Sequence, residues 1–171
     1  MVDIVSRVSW VGQLTAVDCL QRWVEIGVWR GRFAEQILRQ FPTADYVGVD
    51  PWTRMSRHLA LTAERLKPWG SKVTLCRETS ADAALRLAGG ELFDVVYIDG
   101  NHRRGSVLQD LRLWSPLVRS GGIVSGHDYG DLYPGVERAV RQFVHENQIP
   151  TWYVTRDSSP RDPSSFFWIH P

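Results

Sequence analysis

Short apolar runs that end in polar turns alternate with helical stripes along most of this chain. Arg22–Ile26, Tyr46–Val49, Lys72–Cys76, Phe93–Ile98 and Ile123–Ser125 read as strands. Arg32–Gln40 carries Phe33, Ile37 and Leu38 at helical spacing and stops at Phe41-Pro42. Arg54–Lys67 predicts a helix with Leu59, Ala63 and Leu66 inward, ended by Pro68 and Gly70. Ser80 is placed to cap a helix over Ala81–Ala88, which halts at Gly89-Gly90. Ser106–Val118 turns Val107, Leu108, Leu111 and Leu117 inward, with Pro116 bending or ending it early, and Val136–Glu146 has Val136, Val140, Phe143 and Val144 on one stripe. The last two strand-like runs, Thr151–Thr155 and Phe166–Ile169, are joined by the polar loop Asp157–Ser165 without a helix, which predicts an antiparallel pair. The pattern is five βα units followed by a β-hairpin, an α/β three-layer sandwich. A single domain is expected over residues 1–171, with its core in 22–171; the residues before 22 are weakly patterned.

Composition narrows the function classes. The 171 residues are 43% hydrophobic and 23% charged, with a net charge of +1, ordinary values for a globular domain. Such a charge gives no electrostatic case for nucleic acid or an anionic membrane. No apolar run approaches the ~20 residues of a membrane span. Cys19 and Cys76 form no metal-binding spacing, and no basic segment leads into a long apolar one near residue 1. Reduced thiols and a cytoplasmic location are expected.

Candidate chemistry gathers at the ends of the strands, where ligands bind in open α/β sheets. Phe93–Ile98 runs directly into Asp99-Gly100-Asn101-His102, and the Gly121–Ser125 stretch runs into Gly126-His127-Asp128-Tyr129. After the first strand, Glu25-Ile26-Gly27-Val28-Trp29-Arg30-Gly31 places two glycines in a turn that opens a helix, with an acid two residues before the first. Gly-x-x-x-Gly is not the dinucleotide fingerprint, and a carboxylate at the turn suits a cationic ligand better than a pyrophosphate. Asp50 ends the second strand, where an acid can accept from both hydroxyls of a ribose. Each acid alone is as readily a helix cap or a solvated turn; in order on successive strand ends they favour a nucleoside ligand.

These residues carry a resemblance. Glu25–Gly31, Val47–Asp50 and "FDVVYIDGNHRRGSVLQDLRLWSPLVRSGGIVSGHDY" over Phe93–Tyr129 resemble class I S-adenosylmethionine-dependent methyltransferases, and the last stretch looks like the branch of macrocin-type sugar O-methyltransferases, with catechol O-methyltransferase more distant. The resemblance covers roughly residues 22 to 147. It implies a Rossmann-like, mostly parallel seven-stranded sheet of order 3-2-1-4-5-7-6 that closes with the antiparallel hairpin. It further implies that Gly27 and Gly31 pack against the methionine moiety with Glu25 near its amino end, that Asp50 holds the ribose, that Trp52 flanks the adenine, that Thr79 and Ser80 contact the adenine ring, and that Asp99 lies near the sulfonium.

Transfer of a methyl group to oxygen requires in-line approach and removal of the hydroxyl proton. Metal-dependent relatives place acids where Asp99 and Asp128 stand, so these two can hold Mg²⁺, with Tyr129 in place of an amide ligand and His127 as a further donor better suited to a transition metal. His102 lies where catechol-type enzymes carry a basic lysine. With an ordinary imidazole pKa near 6.5 it is the candidate general base, against the alternative that it only bridges the turn. Arg103 and Arg104 read as solvated charges. Trp10 and Tyr129–Pro134, with two tyrosines, are candidates for an acceptor groove, although packing accounts for them equally well.

The expected activity is methylation of a small-molecule acceptor, a sugar, phenol or other hydroxyl compound, at a site that is open or completed by a second copy in a homo-oligomer. Three readings compete with it. They are a metal-independent methyltransferase using His102 and His127, a dinucleotide-dependent oxidoreductase disfavoured by the glycine spacing, and a nucleoside-binding protein without turnover.

Overall fold

The strand Phe93–Ile98 (β4) is buried along its whole length, as a run with no polar alternation requires. A computed structural model describes residues 20–53, 56–155 and 164–171. Trp10, Cys19, the helix start at Arg54 and most of the loop 157–165 lie outside those residues. Within them β4 is one of seven strands, in the order β3-β2-β1-β4-β5-β7-β6. The others are Arg22–Ile26 (β1), Asp45–Val49 (β2), Val73–Cys76 (β3), Val118–Tyr129 (β5), Tyr153–Val154 (β6) and Ser164–Ile169 (β7). Strands β1 to β5 pair in parallel, while β7 runs antiparallel to both β5 and β6. The expected fold class, strand order and closing hairpin are all present.

Among the described residues five α-helices cover the sheet: Arg32–Gln40 (α1), Ser56–Leu66 (α2), Ser80–Leu87 (α3), Arg104–Trp114 (α4) and Pro134–Glu146 (α5). Alternate strand residues feed two cores. Trp23, Tyr46, Val95, Tyr97 and Ile123 meet Phe33, Ile37 and Leu38 of α1 and Leu66 of α2. Val24, Val47, Val96 and Val124 meet Ala83 and Ala84 of α3, Val107 and Leu111 of α4, and Val140 and Phe143 of α5. The division follows from the two-residue repeat of a strand, which sends neighbours to opposite faces. On one side Phe33 stacks on Tyr97 with ring centroids 3.8 Å apart.

Three local expectations are corrected. The expected helix Ser106–Val118 is α4 from Arg104 to Trp114; Pro116 then sits in a 3₁₀ turn, Ser115–Leu117, and Val118 already belongs to β5. The cap of α3 is Thr79, whose hydroxyl accepts from the Asp82 N–H, so Ser80 is freed to face α4. Helix α2 turns inward His58, Thr62 and Leu66 rather than Ala63. Its inner face lies under the polar turn after β1: His58 accepts from Arg30 Nε at 3.1 Å, and Thr62 donates its hydroxyl to the Trp29 carbonyl at 3.1 Å.

β5 is much longer than Ile123–Ser125. Between Gly126 and Tyr129 it advances one residue more than its partner β7 does between Phe166 and Ser164, a β-bulge. Gly126 is the last regular position before it. A Cβ there would lie 2.5 Å from the Ile98 carbonyl oxygen and 2.5 Å from the Phe166 ring. Backbone on one side and a core aromatic on the other leave it nowhere to go. Gly126→Ala is expected to destabilise the protein by about 2–4 kcal/mol in denaturant unfolding; a loss below ~1 kcal/mol would show that the β4–β5–β7 junction yields.

Candidate functional site

The turn after β1 is built by close approach. Gly27 has φ +93°, and a Cβ on it would lie 2.2 Å from the carbonyl oxygen of Asp99. Its N–H donates to Val49 O at 2.9 Å, while Asp99 N–H donates to Ile26 O at 2.8 Å, so the ends of β1, β2 and β4 are drawn together. Gly31 also has positive φ and packs against Thr62 of α2. Above this junction opens a cavity of about 1030 Å³. Glu25, Gly27, Asp50, Thr79, Ser80, Asp99 and His102 all line it.

Each acid is held differently. Glu25 is buried and accepts from the Tyr46 hydroxyl at 2.5 Å. Burial first, and then the Glu25 charge, pushes the Tyr46 hydroxyl well above its ordinary value, so it remains a donor. Asp50 accepts the Trp29 N–H at 2.9 Å on one oxygen and the Trp52 N–H at 2.7 Å on the other. A carboxylate has about four acceptor sites, so both oxygens can still accept from a ligand.

At the other end of the cavity the structure brings Asp99, His102 and Asp128 together, with a potential ligand atom of each within 4.8 Å of the others. His102 Nε2 lies 2.6 Å from Asp128 Oδ2 and 3.8 Å from Asp99 Oδ1. The bulge in β5 makes this possible: Asp128 adopts φ +63°, a left-handed conformation rare outside glycine, asparagine and aspartate. On the opposite side, the Tyr133 ring packs edge-on to His102, centroids 4.2 Å apart. Gly135 lets α5 approach, since a Cβ there would meet the His102 carbonyl oxygen at 2.5 Å.

Several expected roles shift. His102 is not an ordinary imidazole: hydrogen bonding to Asp128, then to Asp99, raises its pKa to about 9, so without a ligand it is an imidazolium at neutral pH. Burial works to raise the Asp128 carboxyl, but the hydrogen bonds from His102 and His127 outweigh it and hold it well below the usual range. His127 is buried behind Asp128, with Nδ1 2.9 Å from Asp128 Oδ1, and is not part of the three-residue cluster. Tyr129 packs its ring against Trp152 and Phe166 in the core, so of the two tyrosines only Tyr133 reaches the site. Trp52 is buried outside the cavity lining and donates its indole N–H to the Trp29 carbonyl at 2.9 Å.

Sequence reasoning missed Trp29, Arg32 and Asp110, all of which line the cavity. Trp29 is 55% exposed, with φ +51° and the Arg30 guanidinium 4.7 Å from its ring. Arg32 is the first residue of α1 and, among the described residues, the one arginine or lysine in the cavity wall. Asp110 is an acid buried on the inward face of α4. Only the i, i+3 spacing of Asp110 from Val107, within an apolar stripe, hinted that it faces inward.

Comparison with known proteins gives the class. The methyltransferase-domain family matches residues 24–129, more than half of the chain, and the chain belongs to that family. An uncharacterized protein, R132, of Acanthamoeba polyphaga mimivirus is 27% identical over 135 residues, taking in 74% of this chain; the chain spans 60% of that protein's length. Among solved structures, an O-methyltransferase from Bacillus cereus in complex with S-adenosylhomocysteine superposes with a TM-score of 0.71 at 15% identity, covering 96% of this chain and 82% of the other. The O-methyltransferase TomG from Streptomyces achromogenes, solved with S-adenosylmethionine, gives 0.65 at 20% identity over 88% and 74%. An rRNA methylase from Streptococcus thermophilus gives 0.70 at 11% identity over 99% of both chains. At these identities the likeness is one of fold. No described helix is long and apolar enough to cross a membrane.

The raised pKa of His102 has a stability consequence in solution free of divalent ions. Below pH 6.5 folded and unfolded chains both carry the proton, and the ion pairs contribute in full. Above it the unfolded chain loses its proton first, so stability falls as pH rises toward 9. The side chain is about one-third exposed, so screening limits the expected loss to roughly 1–2 kcal/mol. Denaturant unfolding from pH 6 to 9 should show this extra loss in the wild type and not in His102→Gln; parallel curves would remove the ion-pair assignment.

Proposed function

We propose that this protein transfers the methyl group of S-adenosylmethionine to a hydroxyl oxygen of a small-molecule acceptor. The observation that carries the reading is the arrangement along a single cavity: a turn acid, Glu25, then Asp50 beyond β2, with Asp99 and His102 at one end and Asp128 against His102 just outside the lining. The family membership and the fold shared with O-methyltransferases support it. The net charge of +1 favours a small acceptor over nucleic acid, despite the fold shared with an rRNA methylase.

The residues present fit the cofactor. Asp50 retains acceptor capacity for the ribose hydroxyls. Glu25 suits the ammonium of the methionine moiety, and Arg32, with Gln36 one turn on, suits its carboxylate. Trp52, through its bond to the Trp29 carbonyl, props Trp29 at the cavity rim, so we assign to Trp29 the flanking role expected of Trp52. Thr79 and Ser80 stand at the base end. Bound there, the cofactor supplies an electrophilic methyl carbon. The acceptor oxygen forms the new C–O bond as the C–S bond breaks toward sulfur, leaving S-adenosylhomocysteine, and the hydroxyl proton passes to a base at the Asp99 end.

His102 is that base. It faces the acceptor side beside Tyr133 and must itself be deprotonated to act. Asp99 and Asp128 also fit a divalent cation by donor chemistry as two carboxylates, which would leave the His102 imidazole to act as the base. Such an ion would polarise the acceptor hydroxyl. A metal-independent enzyme, with Asp128 orienting His102, is the second reading, favoured by the 2.6 Å contact between them.

Calorimetric titration with S-adenosylhomocysteine, with and without Mg²⁺, tests the reading. Micromolar binding is expected, reduced at least about tenfold by Asp50→Ala through loss of charge-assisted hydrogen bonds to the ribose. Absence of binding in both conditions overturns the function. Full activity of the wild type in chelator, with Asp128→Asn impaired there, would leave only the metal-independent form.

A further inference from the structure

We infer that Asp110 selects the base of the cofactor, its carboxylate accepting a hydrogen bond from the exocyclic amino group of adenine. The inference rests on the proposed use of S-adenosylmethionine and goes beyond it by assigning base specificity to a residue outside the strand-end loops. Asp110 is buried at 7% exposure, yet it belongs to the cavity lining with Ser80, Ser106 and Gln109. Its Oδ1 accepts the Ser80 hydroxyl at 2.5 Å, and Ser80 Oγ in turn accepts the Trp114 indole N–H at 2.8 Å. The donors are therefore aligned toward one carboxylate, and Ser80 is its only donor among the described residues.

A structural tie between α3 and α4 needs only an acceptor at this point, which a neutral amide oxygen supplies. A buried carboxylate without a cation is a costlier choice. Burial raises its pKa to about 6, against the opposing effect of the Ser80 bond. At neutral pH it is an anion that lacks donors. A ligand that brings an N–H to its second oxygen relieves that deficit.

The cavity order says which part of the ligand arrives there. Asp99, His102 and Asp128 stand beyond β4 and β5, Asp50 beyond β2, and Ser80 beyond β3 at the edge of the parallel sheet. With the reacting carbon at the first group and the ribose at Asp50, the base falls beside Ser80 and Asp110. The 6-amino group of adenine is the one strong donor on that ring. A 6-oxo purine would set a carbonyl oxygen against the carboxylate and leave both unsatisfied. Sites built around a required donor reject analogues lacking it far more strongly than apolar pockets reject a size change.

The test compares S-adenosylhomocysteine with S-inosylhomocysteine, the 6-oxo analogue, by calorimetry on the full chain. Wild type is expected to prefer the adenosine compound by about 100-fold or more. In Asp110→Asn, binding of the adenosine compound should weaken at least about tenfold and the preference should shrink below about tenfold. The melting temperature of the ligand-free variant should stay level or rise, which separates a ligand-facing role from a structural one. An unchanged preference in Asp110→Asn overturns the inference. Should that variant not fold, Asp110→Ser replaces it with the same expected loss, and retention of the preference there overturns the inference equally. Failure of wild type to bind either compound would instead overturn the proposed function.

Discussion

The contact on which the rest of the site depends is between two pieces of backbone. The carbonyl of Asp99 occupies the space where any side chain on residue 27 would begin. Only glycine, at φ +93°, lets the turn after β1 lie against the end of β4. That approach makes the exits of β1 and β4 a single surface, with Asp50 brought in through the Gly27 N–H to Val49 bond. The distances among Glu25, Asp50 and Asp99 follow from it. Moving the turn outward by even an ångström would separate Asp50 from Asp99 and His102.

The second half of the site depends on a different irregularity. A regular β5 would alternate its side chains and send His127 and Asp128 to opposite faces, fixed by register with β7. The extra residue between Gly126 and Tyr129 breaks that alternation and turns Asp128 toward His102, while Tyr129 drops into the core. The left-handed conformation at Asp128 is strained for a residue with a side chain, and the two histidine contacts hold it in place. Bulge and ion pair are thus mutually dependent.

This division explains what the sequence discloses. Strand tips are legible because apolar runs of four to six residues end abruptly in acids, and the sheet order follows once the turn residues and the resemblance are set side by side. Asp99, Asp50 and Glu25 were readable for that reason: each lies within two residues of its strand's end. The position of Asp128 relative to His102 was not, since it depends on pairing with β7, far along the chain. The imidazole's raised pKa was hidden with it. Trp29 and Trp52 flank one turn on either side of Asp50, and only the indole bond of Trp52 to the Trp29 carbonyl decides which is inward. On α2 the polar His58 and Thr62 are buried because a guanidinium and a backbone carbonyl partner them, with the Trp29 ring edge-on to His58, so hydrophobic spacing pointed to the wrong face.

The charges in the cavity now have a common rationale. Glu25, Asp50, Asp99 and Asp110 face it, against Arg32 and the imidazolium of His102. A carboxylate withdrawn from water costs free energy unless it is hydrogen-bonded or paired. The protein answers locally, with the Tyr46 hydroxyl on Glu25, two backbone N–H groups on Asp50 and His102 between Asp99 and Asp128. Asp110 receives one hydroxyl and keeps an elevated pKa. A ligand carrying a sulfonium, an ammonium and an aryl amine would add positive or donor groups where acids are in excess, while its single carboxylate has Arg32. Part of the binding free energy then comes from giving donors to carboxylates already withdrawn from water. Stability and affinity at such a site oppose each other: neutralising an acid steadies the free protein and weakens its hold on the ligand.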